Sequence, residues 1–276
     1  MDAEVLAAAR TLLFVPGDRP ERFAKAAASG ADAIVIDLED AVGPGNKRQA
    51  LRNARDWLAA GHEAVIRLNA TGTPWHPDEL AALADRPVAV LVPKSADPAA
   101  LAGVLAALTP GSVAIPLVET AAGVLGAPAV AAVPGVVRLA FGHVDLSTEL
   151  GVPPEGSPTL DQARSTLVLA CAAAGIAPPL DGVTTALDDP AVLAADVARA
   201  QLLGLTGKLC VHPRQVPLVH EAFAPTEAEL SWARSVTAAA TDGASSVGGQ
   251  LVDRPVLLRA ERLLGQADRR GGPRRP

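Results

Sequence analysis

The strongest constraint on this chain is a rhythm: short runs of β-branched and apolar residues alternate with longer Ala/Leu-rich segments from one end to nearly the other. That alternation is the signature of repeated βα units and a parallel sheet. Eight runs qualify as strands: Thr11–Val15, Ala33–Asp37, Ala64–Leu68, Val88–Val92, Val113–Val118, Val136–Phe141, Pro179–Val183 and Lys208–Val211. Several are continuously apolar, as strands covered on both faces must be. The seventh is the weakest. Between the runs lie helical patterns with stop signals. Asp18, ahead of Pro20 and Glu21, reads as an N-cap, with Gly30 closing its helix, and Gln49 to Leu58 forms another helix ended by Gly61.

A length of 276 residues suits one (β/α)₈ TIM barrel better than two ordinary domains. A doubly wound sheet is the alternative, but its glycine-rich G-x-G-x-x-G turn does not occur. The reading divides the chain into a catalytic barrel over 1–223, a C-terminal helical extension over 224–265, and a disordered basic tail over 266–276 that holds Arg269, Arg270, Arg274 and Arg275.

Composition narrows the function. With 24 basic against 30 acidic side chains, the chain lacks the basic excess of a nucleic-acid binder. The longest apolar stretch, Val124 to Phe141, is broken by Pro128 and Pro134, so no membrane span is expected. Two cysteines imply no disulfide framework, and the first residues lack the positive flank of a secretory signal, so a cytoplasmic location is expected.

In a barrel, chemistry gathers where strands end at their C-terminal side. Those exits deliver Asp18, then Asp37, Glu39 and Asp40, then Arg67 and Asn69, Lys94, Glu119, His143 and Asp145, Asp181, and His212. Surface polarity alone would scatter charges over both ends. Glu119 and Asp145 leave adjacent strands, and two carboxylates with waters and a chelating substrate suit Mg²⁺; helix capping is the alternative. Zinc is disfavoured, since no Cys/His pair has ligand spacing. Arg67 ends an apolar run, where its planar fork would serve a carboxylate or an enolate oxygen, or an ion pair with Asp37 or Glu39. Asp37 and Glu39, on alternate positions, are expected to face inward, with Asp40 capping the next helix. Lys94 is either a Schiff-base lysine or a neutralising partner for Glu39 or Glu119. His143 and His212 read first as hydrogen-bonded histidines without catalytic duty. Neither a G-x-S-x-G elbow nor a P-loop is present.

Taken in order, Arg10 to Gly17, the Asp37-Leu38-Glu39-Asp40-Ala41-Val42 box, Arg67-Leu68-Asn69, Pro93-Lys94, Leu117-Val118-Glu119-Thr120, Phe141-Gly142-x-x-Asp145 and Val211-His212-Pro213-x-Gln215 resemble the citrate lyase β-subunit-like proteins of the HpcH/HpaI aldolase group. The likeness runs from about Arg10 to Leu258. It implies a Mg²⁺-dependent barrel, a homotrimer or larger, that cleaves or forms citryl-, citramalyl- or malyl-thioesters. By it, Glu119 and Asp145 bind the ion and the substrate, the backbone of Gly142, His143, Val144 and Asp145 takes the oxo-acid carboxylate, and Asp37 lies beside it. Arg67, Glu39 and Asp253 are then the catalytic groups, with Arg67 steadying the enolate. Asp253, in Gly249-Gln250-Leu251-Val252-Asp253-Arg254-Pro255, exchanges a proton with the acyl carbon of a neighbouring subunit's substrate. His143 and Val144 replace the acidic or alanine residues frequent in that motif, which bears on which oxo acid fits. Rival expectations are a citrate lyase subunit acting on an acyl-carrier protein, a Schiff-base aldolase through Lys94, and a barrel that only senses an oxo acid.

Overall fold

The structure, a computed structural model, describes residues 1–241, 246–247 and 249–271. Eight parallel strands close a barrel in chain order: β1 (Thr11–Pro16), β2 (Ala33–Asp37), β3 (Val65–Arg67), β4 (Ala89–Val92), β5 (Val113–Val118), β6 (Ala140–Phe141), β7 (Leu180–Asp181) and β8 (Gly207–Cys210). The helices that accompany them are α1 (Ala3–Ala8), α2 (Phe23–Ala27), α3 (Lys47–Ala59), α4 (His76–Leu83), α5 (Pro98–Ala107), α6 (Ala121–Ala131), α7 (His143–Leu150), α8 (Pro158–Ala174), α9 (Pro190–Leu203) and α10 (Gln215–Ala222). None of the described helices is long and apolar enough to cross a membrane.

The expected strands are present, four of them shortened (the third, fourth, sixth and seventh), the sixth and seventh most. In the sixth run Val136 makes only an isolated bridge to Ala114, and ladder pairing resumes at Ala140. The seventh starts after Pro178-Pro179, which have no N–H to give a ladder, and pairs over two residues. Asp18 is not the expected N-cap. The chain enters a 3₁₀ turn, Pro20–Arg22, from Arg19 without a side-chain cap, and Asp18 instead accepts from Asn46 Nδ2 at 2.8 Å.

Strand alternation decides what faces the barrel axis. Leu12, Ala33, Val35, Val65, Ala89, Leu91, Ile115, Leu117, Ala140, Leu180 and Leu209 form one buried cluster. Leu6 of α1 joins it, so this helix stops the N-terminal end of the barrel. Arg138, fully buried, belongs to the same floor. Its guanidinium donates to the carbonyls of Leu6, Ala9 and Pro178 and to Thr206 Oγ1, satisfying a charge with backbone dipoles where no carboxylate is bonded to it.

The chain divides into two compact units, Met1–Ala222 and Phe223–Pro276. In the second, α11 (Glu227–Thr241) and α12 (Arg254–Gly271) pack through Ala233, Val236 and Ala260, and β9 (Ser246–Val247) pairs with β10 (Gln250–Leu251). Val252, Val256 and Leu257 find cover in this hairpin, whereas Leu251 and Leu258 stay exposed. Arg259 stacks over Trp232 at 4.9 Å. Helix α12 continues to Gly271, into the stretch expected to be disordered; Arg274 and Arg275 lie outside the described residues, as does most of the Gly243-to-Gly249 connection.

Candidate active site

Register builds one side of the site. Asp37 and Arg67 are ladder partners on β2 and β3, and both continue the inward positions of Val35 and Val65. Arg67 therefore meets Asp37 edge to edge, with Nε to Oδ1 at 2.7 Å and Nη2 to Oδ2 at 2.5 Å. This is the fork-to-fork geometry that lysine cannot copy. Its Nη1 lies 3.2 Å from Glu39 Oε2 and 3.3 Å from Asp40 Oδ2, and the guanidinium sits 4.9 Å from the Phe14 ring. Burial pulls the Arg67 pKa down, but the Asp37 bonds and the three carboxylates outweigh it and leave it above its ordinary value. The ion pair foreseen for Arg67 is thus present, and Nη1, on the side away from Asp37, is shared between Glu39 and Asp40. Asp40 does not cap a helix, because the next turns start at Gly43 and Asn46 without side-chain caps.

Asp37 also shapes the turn after β2. Its two oxygens accept from Glu39 N at 2.8 Å and Ala41 N at 3.0 Å. The turn points Glu39 inward, 7% exposed, with an Oε2 that is buried and receives no hydrogen bond. Burial raises the Glu39 carboxyl to about 8, opposed by Arg67 and Lys94 and reinforced by Asp40 and Glu119.

The other side comes from β4, β5 and α7. Glu119 follows the inward positions Ile115 and Leu117 and is 3% exposed. Its Oε1 accepts from Lys94 N at 2.8 Å. Lys94 reaches that geometry with φ +51°, a left-handed backbone that a lysine seldom adopts. Its ammonium then stands 3.7 Å from Glu39, 3.8 Å from Glu119 and 3.8 Å from Asp145. Such surroundings hold it protonated, whereas a Schiff-base lysine must present a neutral amine. Burial raises Glu119 to about 7, against the Lys94 N–H bond and charge. Gly142 lies so close to Glu119 that a Cβ there would come within 2.7 Å of Oε2, so only glycine lets α7 begin beside this carboxylate. Thr120, not Glu119, caps α6, and Asp145 lies in the first turn of α7, half-exposed.

Other expected members stand elsewhere. Asp181 does not reach the barrel mouth. It follows inward Leu180 and so faces outward, bonded to Arg164 Nε at 2.8 Å and 3.4 Å from Lys208 Nζ. These two cations hold its carboxyl below the ordinary range despite burial. His143 also turns away from the axis. Its ring packs against Phe141 and over Gly182, where a Cβ would collide with Nδ1. Burial lowers it to about 4, so the ring is neutral. Val144 is partly exposed and gives its carbonyl to the hydroxyls of Ser147 and Thr148. His212 Nδ1 accepts from Arg214 N at 3.2 Å. Asp253, in the second unit, is exposed and its Oδ1 accepts from Val256 N at the start of α12.

Behind Glu39 lies a buried polar group in which the strand-exit residue Asn69 meets three that the reading of strand exits missed, Lys47, His76 and Glu79, each of the four 6% exposed or less. Lys47 opens α3, and a cation is unfavourable at a helix N-terminus. That misfit was the available signal.

Five carboxylates (Asp37, Glu39, Asp40, Glu119, Asp145) meet two cations (Arg67, Lys94) here, a formal excess of three negative charges. Among the described residues no three His, Cys, Asp or Glu side chains form a ready metal cluster. A Glu119–Asp145 pair suits a hard cation that keeps several waters, and the orphaned Glu39 Oε2 is an acceptor suited to such a water. The residues fit a divalent ion of that kind.

A family model, HpcH/HpaI aldolase/citrate lyase, matches residues 10–213. A citrate lyase subunit beta-like protein of Deinococcus radiodurans is 42% identical over 92% of this chain and 96% of its own. The L-malyl-CoA/beta-methylmalyl-CoA lyase of Cereibacter sphaeroides is 32% identical over 94% of both. A solved structure of CitE from Mycobacterium tuberculosis in complex with magnesium, acetoacetate and coenzyme A superposes with a TM-score of 0.83 at 36% identity, covering 95% of this chain and 99% of that one. With barrel, strand-exit carboxylates and sequence in agreement over nearly the whole length, this chain belongs to the HpcH/HpaI aldolase/citrate lyase family.

Proposed function

We propose that this protein is a Mg²⁺-dependent carbon–carbon lyase that cleaves, or forms, a 3-hydroxyacyl-CoA thioester such as malyl-, citramalyl- or citryl-CoA. The products are a 2-oxo acid and an acyl-CoA. The observation that carries the reading is the carboxylate-rich barrel mouth centred on Glu119 and Asp145, in a chain whose relatives include an L-malyl-CoA/beta-methylmalyl-CoA lyase and a citrate lyase subunit beta. Glu119 and Asp145 would hold the ion, which when bound acidifies the hydroxyl of the substrate and neutralises charge on its oxygens.

The chain's own groups supply the rest. The first-turn N–H groups of α7, which no side chain caps, would take the oxo-acid carboxylate, and Gly142 lets that turn begin beside Glu119. Asp37 occupies one edge of Arg67 and fixes the plane of the guanidinium. Nη1, whose 3.3 Å bond is to the exposed Asp40, would exchange that partner for the enolate oxygen of the departing acyl-CoA. Glu39 is suited to hold a water or the hydroxyl proton, and Lys94 keeps the carboxylates from repelling one another. Turnover of the three thioesters, followed as release of the 2-oxo acid, tests this function; no release from any of them would overturn it.

Asp253 completes the scheme by exchanging a proton with the acyl carbon, and we place it at the site of a neighbouring copy in a homotrimer of the cytoplasm. Its exposure just ahead of α12, within a separate unit, supports that role. Mixing Glu119→Ala and Asp253→Ala chains, each inactive alone, should restore part of the activity as hybrids regain an intact site. Continued inactivity despite proven subunit exchange would confine Asp253 to its own chain.

A further inference from the structure

Lys47 is a buried ammonium with three hydrogen-bond acceptors and, among the described residues, no carboxylate bonded to it. Its Nζ donates to Leu38 O at 2.7 Å, Glu39 O at 2.7 Å and Asn69 Oδ1 at 2.6 Å. Those are the three donors an ammonium possesses, all used. The Trp75 ring covers the charge with its centroid 5.1 Å away. Asn69 in turn donates Nδ2 to Leu38 O at 2.9 Å and to Glu79 Oε1, while its backbone N–H donates to Glu79 Oε2 at 2.8 Å. The Asn69 carbonyl meets His76 Nδ1 at 2.8 Å. Loops after β2 and β3 and the first turn of α4 are thereby locked into one polar knot under the barrel rim.

What the knot grips is the turn that carries Glu39. Asp37 holds the N–H groups of Glu39 and Ala41, and Lys47 holds the carbonyls of Leu38 and Glu39 from the opposite side. The peptide planes on both sides of the Glu39 Cα are therefore fixed. From this frame the Glu39 carboxyl projects to Lys94 and Arg67. A buried cation is costly to desolvate, and a hydrophobic residue could fill the same volume more cheaply. Its charge is therefore better explained by what it orients than by stability.

We infer that Lys47 is a positioning residue: by clamping the Leu38 and Glu39 carbonyls it aims the Glu39 carboxyl at the reacting end of the substrate. This rests on the lyase function proposed above for the site, although the clamp itself has a signature independent of turnover. A displacement of about 1 Å in a catalytic group can cost about 10²-fold in rate.

The test uses Lys47→Met, which keeps the stem and removes the three donors. The expected result is a fall in kcat of about 10²-fold, with KM for the thioester changed by less than about threefold. Amide hydrogen exchange in the segment 38–41 should accelerate about tenfold or more while β5 is unaffected. In a Glu39→Ala background, adding Lys47→Met should lower the residual kcat no further, since Lys47 acts through Glu39. Unchanged kcat or unchanged exchange in folded Lys47→Met would overturn the inference. So would a loss that repeats in full without Glu39, which would make Lys47 a stability residue. Lys47→Arg, which keeps the charge but cannot converge on three acceptors, takes its place if Lys47→Met fails to fold, with the same outcomes read at smaller amplitude. If the wild-type protein turns over no thioester, the proposed function fails, and the exchange result still decides the clamp.

Discussion

Glu119→Ala should abolish thioester cleavage, with a loss of at least about 10³-fold, equivalent to about 4 kcal/mol of transition-state stabilisation. Three roles vanish together in this variant. One proposed ion ligand goes, the Lys94 N–H loses its acceptor, and the Lys94 ammonium loses a neighbouring charge. The fold should survive, because among the described residues the carboxylate accepts a hydrogen bond only from Lys94 N, and its removal relieves repulsion among neighbouring acids. Asp145→Ala, at a half-exposed position, should behave the same in turnover with even less effect on melting. Calorimetric titration with Mg²⁺ checks the cause, since both variants should lose the binding that wild type has. Turnover that persists in wild type after exhaustive chelation would remove the ion from the account.

Arg67→Lys comes next in size. The charge stays, but lysine cannot span both oxygens of Asp37 and also present a nitrogen on the side of Glu39 and Asp40. Turnover should fall about 10²-fold, the range for losing an oxyanion donor. Asp37 is 1% exposed, so losing one of its two bonds from Arg67 should also lower the melting temperature. Steady-state kinetics and a thermal melt separate the two effects. Near-normal kcat with a lowered melting temperature would make Arg67 a structural ion-pair residue and nothing more.

Which residues could be read from the sequence follows from how their positions are fixed. Asp37, Arg67 and Glu119 extend the alternation of regular strands, so their inward direction follows from counting in twos along apolar runs. The same counting fails at Asp181, where the strand is two residues long and the run had no reliable phase. Asp18 and Asp40 were misread as caps because the turns after β1 and β2 are 3₁₀ and take their shape from long-range contacts, such as Asp18 with Asn46 and Asp40 with Arg67. Lys47 and Glu79 stayed hidden for a similar reason. Their partners come from different βα loops, and apart from the misplaced cation at the start of α3 nothing local distinguishes them from solvated helix residues. The two-unit division after Ala222 coincides with the end of the eighth βα repeat, which the repeat count alone makes visible.

The most direct test of the central claim is to identify the products formed from malyl-, citramalyl- and citryl-CoA with Mg²⁺ present, by mass. Cleavage of the carbon–carbon bond predicts a 2-oxo acid (glyoxylate, pyruvate or oxaloacetate) together with acetyl-CoA from at least one of them. Free coenzyme A with the intact hydroxy acid, and no oxo acid, would show that the site hydrolyses a thioester without breaking carbon from carbon, and would contradict the account.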